Sequence, residues 1–393
     1  MEELTTRTVP EALVSVTPVR SGALEEIHVS LVPADAEASP IEQTRAMYTA
    51  MLDRILMSGR VRIVAERVFG RLTAKSSFLS TRETLLRSAA LATDTPVTYL
   101  EGTPVDGGPL AGAQLTLVRT DSDMVRVSPL REGHVVYGFC VTAGDVQRVY
   151  LPGMHGLEDG GELDSVHEQA RRMFERTNRL LLSAGMRYRQ VVCTRIYLKD
   201  ILDWYDAFNT VRNPFHERVG LVTADGRPNV PASTGIQGKL SDVCACFMDV
   251  TAVADGRPCP FVKLRNPLQN EATDYGSSFA RGVRLDVPGA RHVIISGTAS
   301  IDETGATVHL GNPLEQTRRT MRNFEAILAA GGASVSDLYH AVWYVKAAAY
   351  AEIVRDEMTR SNWPAFPFVF VKADVCRGDL LVEIDGAAVL ADD

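Results

Sequence analysis

The chain has 393 residues, of which 45% are hydrophobic and 23% charged, and its net charge is −8. A chain of this length predicts two or three domains, and its acidic character argues against nucleic-acid binding, which uses a basic patch. The apolar runs fall short of the roughly 20 residues that a membrane-spanning helix needs, and the first residues lack the charged-then-apolar order of a signal peptide.

The first third of the chain alternates apolar strands with amphipathic helices, which is typical of an α/β or α+β class. Thr81 is a plausible N-cap for the second helix of this section. The predicted elements are strands over 27–32, 63–69 and 113–118 and helices over 40–58 and 81–90.

The middle and last thirds follow the same order. A Pro- and Gly-rich break over 256–260 is the best candidate for the boundary between them. In the middle third we predict strands over 134–140, 191–198 and 244–253 and helices over 164–183 and 201–211; in the last third, strands over 292–296, 338–345 and 380–389 and helices over 313–330 and 347–359.

The strongest pattern in the chain is an internal repeat. Residues 169–199 align without a gap on residues 316–346, and both copies begin with Gln-x-Arg and end with Tyr-x-Lys. A fainter copy begins at Gln43. Because repeats of this kind reflect a repeated structural unit, we predict three related units, over 1–125, 126–258 and 259–393.

The six cysteines are scattered and form no C-x-x-C pair or zinc-finger spacing. This usage favours a reduced, cytoplasmic chain without a metal. Cys244 and Cys246 would share one face of a strand, where buried free thiols are common. No phosphate-binding loop, dinucleotide fingerprint or H-E-x-x-H motif is present, so we expect chemistry without a cofactor.

Six longer motifs stand out in the middle and last thirds of the chain: Trp204–Asn209, Val230–Ile236, Asn266–Gln269, Asp274–Arg281, Ser296–Ile301 and Ala373–Asp385. Together these motifs resemble the Rid (reactive-intermediate deaminase) superfamily, and more specifically its larger members, the chorismatases. This resemblance implies an α+β fold of three fused units, each a mixed β-sheet with two helices, arranged as a pseudo-trimer with clefts between the units.

The resemblance assigns a catalytic role to Glu383. In Rid proteins a glutamate of the closing strand faces the cleft as an acid or base, and the third unit keeps it within Val382–Asp385. The second unit is expected to carry Met248 at that position, and the first has no acid in residues 112–115. Burial among apolar residues raises the pKa of a carboxyl group, so Glu383 would hold a proton near neutral pH. A structural glutamate paired with an arginine is the alternative.

The Rid deaminases also carry Pro-Ala-Arg, whose arginine binds the substrate carboxylate. Here the second unit has Ser233 in its place and the third has Val369, which argues against simple imine deamination. A substrate carboxylate must then be bound by another arginine, because the planar guanidinium group can bond both carboxylate oxygens. For each candidate, the alternative is an ordinary arginine on the solvent-exposed surface. These candidates are Arg195, Arg212, Arg281 and Arg377.

Other candidate pocket residues are hydroxyl-bearing, small or aromatic. Hydroxyls and backbone amides at strand ends can orient a ring and bind developing negative charge, although turn formation and core packing explain them equally well. Cys376 has no evident His or Asp partner and is expected to form a pocket wall rather than a nucleophile. The others are Ser233, Thr234, Gly235, Thr298, Ser300, Tyr275 and Phe279.

Three functions remain open from the sequence. The first is a chorismatase-like enzyme of specialised metabolism, in which Glu383 protonates an unsaturated cyclic acid. The second uses the same cleft to close the ring of an unstable aromatic intermediate, as in a carbazole-type alkaloid. The third is a non-catalytic ligand-binding protein. In each case the expected partner is a small molecule, and the chain is expected to be a monomer or a homodimer.

Overall fold

A computed structural model describes residues 12–56, 59–158, 165–222 and 228–391, apart from the side chain of Tyr275. These residues form three mixed sheets, each covered on one side by two helices. The predicted α+β class with three Rid-like units in a pseudo-trimer is confirmed. The division of the chain at residues 125 and 258 stays a prediction.

The first sheet has the strand order β1-β2-β5-β3-β4. Ser39 starts its first helix, because its side chain accepts from the backbone of Glu42 while the Glu42 carboxylate accepts from the backbone of Ser39. The elements are β1 (Ala12–Ser21), β2 (Leu24–Pro33), α1 (Pro40–Ile55), β3 (Val61–Gly70), α2 (Lys75–Ser88), β4 (Thr98–Glu101) and β5 (Leu110–Arg119).

The second sheet has the order β10-β9-β11-β8-β7-β6. Its second helix runs seven residues beyond the predicted end and contains Pro214, because Phe215 packs on Phe174 and Tyr188. The elements are β6 (Val125–Glu132), β7 (Val135–Ala143), β8 (Val146–His155), α3 (Val166–Ser183), β9 (Val191–Leu198), α4 (Ile201–Arg218), β10 (Ala232–Gln237) and β11 (Cys246–Ala254).

The third sheet has the order β12-β13-β14-β17-β15-β16. Asn312 caps its first helix by accepting from the backbone of Glu315, and Pro313 occupies the first helical position. The elements are β12 (Phe261–Leu264), β13 (Gly282–Val287), β14 (Ala290–Ala299), α5 (Pro313–Ala330), β15 (Leu338–Val345), α6 (Tyr350–Arg360), β16 (Phe368–Lys372) and β17 (Val382–Ala391).

The repeated glutamine has the same structural role in each unit. In the third unit, the Gln316 side chain donates to the carbonyl of Asp379 at 2.9 Å and accepts from the amide of Leu381 at 2.8 Å. Gln169 binds Val243 and Ala245, just before β11, in the same way. Gln43 accepts from the amide of Leu110, the first residue of β5, and donates to the carbonyl of Asp35 before α1. The Gln-x-Arg repeat therefore marks a junction between the first helix and the closing strand of each unit.

The faces of the sheets that lack helices meet around a pseudo-threefold axis. Phe69, Tyr197 and Tyr344, one from each unit, belong to one apolar cluster there. Next to this cluster lies a group of buried polar residues, in which the Arg67 guanidinium donates to Tyr197 at 2.9 Å. Away from this centre, an edge strand of one sheet approaches the next sheet: β10 contacts β14, and β16 contacts β2 and β5.

Candidate active site

One cleft, which we call the Glu383 cleft, lies where β10, the edge strand of the second sheet, meets the third sheet. The amide of Ser233 donates to Oγ of Ser296 at 2.8 Å, and the amide of Gly297 donates to Oγ1 of Thr234 at 3.0 Å. Ile236 also forms an antiparallel bridge with Val375, in the loop before β17. These bonds hold β10 against β14 and close one side of the cleft.

Glu383 is the second residue of β17 and lies between Tyr344 on β15 and Ala299 on β14. Its side chain is buried, with 4% of the residue exposed. Burial raises its pKa to about 8, the negative charge of Asp385 adds to this effect, and Arg281 opposes it. At pH 7 the carboxyl group is therefore mostly protonated and able to donate a proton.

The positions equivalent to Glu383 carry no acid in the other two units. Glu383 lies opposite Tyr344, just as Phe247 lies opposite Tyr197 and Gly112 lies opposite Phe69. The expectation that Met248 is the equivalent residue was wrong by one position. A shift of one residue reverses the face of a strand, so Met248 points toward the helices.

Gly297 contacts the Glu383 carboxyl directly. A Cβ atom added to Gly297 would lie 2.0 Å from Oε1 of Glu383 and 3.2 Å from the Thr234 methyl group. Only glycine leaves room for the acid at this point, because real Cβ atoms do not approach so closely. The sequence motif contained Gly297, but the spacing gave no reason to single it out.

Arg212 and Arg281 both lie next to the Phe279 ring, in the same cleft. Their guanidinium carbons are 5.9 Å and 5.6 Å from the centre of the Phe279 ring, and each residue is 2% exposed. Arg212 donates to the Asn209 side chain at 2.6 Å, and Arg281 donates to the carbonyl of Asn270 at 3.1 Å. The sequence prediction ended this helix just before Arg212, whereas the structure places Arg212 within α4.

Arg212 has no carboxylate partner within the described part of the chain, and its Nε atom has no hydrogen-bond acceptor there. A buried cation without a counter-ion is costly, because the charge has lost its hydration. Aromatic rings of Tyr205, Phe208 and Phe279 surround it and supply only part of the lost stabilisation. An anionic ligand would supply the rest.

Tyr205 is a cleft residue that the sequence analysis missed. Its hydroxyl group interacts with Ser277 and Arg212, and burial raises its pKa. The ring covers Gly235, where an added Cβ would come within 3.3 Å of ring carbon Cε2. The motif that contains Tyr205 predicted only a helix, since helical spacing alone does not reveal which side chain faces a ligand.

Cys376 joins this group from the loop between β16 and β17. Burial raises the pKa of its thiol to about 12, and the charge of Glu383 contributes in the same direction. A thiol of this kind stays protonated at neutral pH and is a poor nucleophile, which fits a pocket wall. The neighbouring Arg377 donates to the carbonyl of Gly305 at 2.8 Å.

Four other candidates use their polar groups within the fold. Ser233 accepts from Thr194 at 2.8 Å, Thr298 donates to the carbonyl of Ser296, and Ser300 donates to that of Val308. The fourth, Arg195, contacts Asp385 at 3.7 Å and His340 at 2.8 Å near the pseudo-threefold axis. The structure thus brings Glu383, Arg212, Arg281, Phe279, Thr234, Gly235 and Cys376 together, whereas the Tyr275 side chain lies outside the described residues.

Across the described ranges, no group of three or more His, Cys, Asp or Glu side chains is arranged to hold a metal ion. No helix in the same ranges is both long and apolar enough to cross a membrane. All six cysteines are free.

Comparison with known proteins agrees with this architecture. The sequence profile of the endoribonuclease L-PSP family matches residues 137–240 and 278–390, together more than half of the chain. The chain belongs to the endoribonuclease L-PSP family. The Rid-superfamily resemblance read from the motifs is thereby confirmed, and the matched ranges cover the second and third units of this L-PSP protein.

Two further proteins similar to this chain are a 3-hydroxybenzoate synthase and a chorismatase. A 3-hydroxybenzoate synthase from Streptomyces hygroscopicus is 28% identical over 179 residues, which is 40% of this chain and 51% of that protein, so the match spans about half of the relative. A crystal structure of a chorismatase covers 97% of this chain and 99% of its own, with a TM-score of 0.60 and 17% identity. A single-unit endoribonuclease L-PSP from Entamoeba histolytica covers 33% of this chain and 99% of its own at 18% identity, with a TM-score of 0.29.

Proposed function

We propose that this protein is a chorismatase-like enzyme of specialised metabolism that acts on an unsaturated cyclic carboxylic acid. The observation that carries the proposal is the pairing, in one cleft, of a buried proton donor with a buried cation that has no counter-ion among the described residues. Glu383 has a pKa of about 8, and Arg212 has no carboxylate partner among the described residues. Such a cleft suits an anionic substrate that must accept a proton.

The residues of the cleft would divide the work as follows. Arg212 and Arg281 bind the carboxylate of the substrate, and the Phe279 ring next to both arginines packs on its unsaturated ring. Glu383 donates its proton to the methylene carbon of an enol-ether side chain. The positive charge that develops on the ether oxygen then weakens its bond to the ring.

With chorismate as the substrate, two reactions conserve all atoms. Addition of water to the protonated side chain releases pyruvate and leaves a dihydroxycyclohexadiene carboxylate. Loss of a ring proton without net addition of water releases pyruvate and a hydroxybenzoate. The S. hygroscopicus relative is named a 3-hydroxybenzoate synthase, which supports testing the second outcome first.

Incubation with chorismate tests the proposal. We expect pyruvate, measured with lactate dehydrogenase, and an equal amount of a cyclic product that chromatography and mass spectrometry identify. In D₂O the pyruvate methyl group should gain one deuterium. Glu383→Gln should lower kcat about 10²–10⁴-fold while the variant still folds. An absence of pyruvate above the uncatalysed rate would rule out this substrate.

A second candidate function is favoured by the aromatic residues around Arg212. Besides Tyr205, Phe208 and Phe279, the ring of Trp204 lies 5.8 Å from that of Phe208. Walls of this kind would suit a larger aromatic intermediate, whose ring closure Glu383 would promote by proton transfer. Turnover of an indole-derived intermediate with an unsaturated side chain, together with inactivity on chorismate, would support this function over the first.

A ligand-binding protein without catalysis makes a different prediction for Glu383→Gln. That variant would bind the ligand as wild type does, and no product would form with either protein. Isothermal titration of both proteins beside the product assay therefore separates binding from catalysis.

A further inference from the structure

A second cleft lies between the third and first units, on the side of the molecule related to the Glu383 cleft by the pseudo-threefold arrangement. We call it the aromatic cleft. Its volume is about 560 Å³, within the range of small-molecule sites. It is lined by Ala12–Ser15, Ser30 and Val32 of the first sheet, Pro104–Asp106, Ala111, Arg54, and Arg355, Ala365–Phe368 and Phe370 of the third unit.

Strand register shows that the two clefts are equivalent. Phe368 pairs with Ala341 on β15, and Ser233 pairs with Thr194 on β9, where residues 194 and 341 are equivalent in the repeat. Two pairs further along, Phe370 takes the place of Gly235. The edge strand that carries small residues at the Glu383 cleft therefore carries two phenylalanines at the aromatic cleft.

The acid/base chemistry is absent from the aromatic cleft. Gly112 holds the position of Glu383, and a Cβ atom added there would lie 2.5 Å from the carbonyl oxygen of Leu31. Its φ of 153° also favours glycine. By the repeat, Thr359 stands where Arg212 stands in the second unit. This position of the fold has kept a cleft and lost the groups that would make it reactive.

The aromatic cleft has a cation of its own. Arg355 holds the position of Phe208 in the repeat, and its guanidinium carbon lies 4.6 Å from the centre of the Phe370 ring. It has no carboxylate partner within the described residues. Arg54 also lines the cleft and donates to the carbonyl of Val14. Asp106 is an acid in the same lining, so the cations exceed the acids there.

We propose that the aromatic cleft is a second, non-catalytic binding site for a small aromatic acid. The ligand ring packs against Phe366, Phe368 and Phe370, and its acidic group pairs with Arg355. Apolar walls bind a planar ring through burial of surface, and the arginine selects an anionic ring over a neutral one. This inference does not depend on the reaction at Glu383.

Fluorescence titration with 8-anilinonaphthalene-1-sulfonate, an aromatic anion, tests the proposal, with 2-naphthoate and neutral naphthalene methanol as competitors. We expect one saturable site, and displacement by the acid at lower concentration than by the alcohol. Ser15→Trp should fill the cleft and weaken binding by about tenfold or more, which is 1.4 kcal/mol or more. Arg355→Gln should weaken it about threefold, as expected for a partly exposed ion pair.

Matched control variants show whether the probe binds in the aromatic cleft. Leu310→Trp introduces the same indole ring at an exposed position elsewhere, and Arg360→Gln removes the last arginine of the same helix. Both variants should bind the probe as wild type does. If Ser15→Trp does not fold, Ala365→Trp fills the cleft from the opposite wall. Arg212→Gln, which removes the cation that would bind an aromatic anion in the Glu383 cleft, should leave probe binding unchanged, which distinguishes the aromatic cleft from the Glu383 cleft.

Two results would overturn the proposal. One is unaltered probe binding in both cleft-filling variants. The other is a wild-type dimer, detected by sedimentation, that Ser15→Trp converts to a monomer. In that case the aromatic cleft would be an interface with a second copy of the chain, to which the exposed Leu13 of its lining would contribute.

Discussion

The burial of Glu383 links chemistry to stability at a single residue. Its carboxyl pKa is about 8 in the folded chain against an ordinary value of 4.5, so between these values the folded state binds more protons than the unfolded state. The free energy of unfolding contributed by this group is therefore fully present below pH 4.5 and is lost as pH rises to about 8.

Glu383→Gln should consequently be more stable than wild type at pH 9, by an amount on the order of a few kcal/mol. At pH 4.5 the two proteins should unfold at similar denaturant concentrations, because both side chains are then neutral. Urea titrations at the two pH values measure the difference. An equal gain at both pH values would mean that something other than the charge of Glu383 is responsible.

Asp385 sets the proton affinity of its neighbour. The two carboxylates point to the same face of β17, since they are two residues apart, and the charge of Asp385 raises the pKa of Glu383. Asp385→Asn should move the alkaline limb of the kcat profile down by on the order of one pH unit. The profile is compared with that of Asp379→Asn, an exposed acid nearby. An unmoved limb would contradict this electrostatic role.

At the scale of elements, the repeat is explained by the three buried glutamines rather than by catalysis. Gln316→Leu should leave the carbonyl of Asp379 and the amide of Leu381 without their partner. A cost of about 1–3 kcal/mol in unfolding free energy is expected, measured by urea denaturation. Arg322→Leu, on the exposed side of α5, should change stability by less than about 0.5 kcal/mol.

Elements with strong periodicity were predictable, and edge elements were not. The bounds of α5, β9 and β15 agree with the sequence prediction, because each has a clear apolar face. By contrast the six edge strands β1, β4, β6, β10, β12 and β16 were missed, since edge strands need less apolar character. The interior strands β8 and β13 were missed as well. Helix α2 begins six residues before Thr81, after a short 3-10 turn and without a side-chain cap.

The candidate site was also predictable only in part. Glu383 came from a motif, but its equivalent in the second unit required the strand register. The separation of Arg212 and Arg281 from Arg195 depends on which unit each faces across a cleft. Such information is not local to any segment of the chain, so sequence spacing could not supply it.

For the whole molecule, equivalent strand positions carry different polar groups where the three units meet. Glu26, Arg148 and His292 lie opposite Val118, Val253 and Val389 on the closing strands, which places them at equivalent positions of the three units. Arg148 forms an ion pair with Glu26. Three identical subunits would place three like charges together here, whereas a fused chain can place complementary groups and so distinguish its units.

The histidines of this central group make the assembly sensitive to acid. Burial lowers the pKa of His28 to about 4 and that of His292 to about 3; Arg148 acts in the same direction and Glu26 opposes it. Both histidines are therefore neutral in the folded chain at pH 6, whereas the ordinary pKa of a histidine is 6.5. Between about 6.5 and 3 the unfolded state therefore binds more protons, and stability falls as pH falls through this window.

His292→Gln should reduce this loss, because glutamine keeps a polar side chain and does not titrate. The variant should lose less unfolding free energy than wild type between pH 6.5 and 4, measured by urea titrations at both values. His309→Gln, a substitution in the loop before α5, should keep the wild-type slope. If His292→Gln follows wild type throughout, the acid sensitivity of the chain arises away from the axis, and the central polar group holds the units together without titrating.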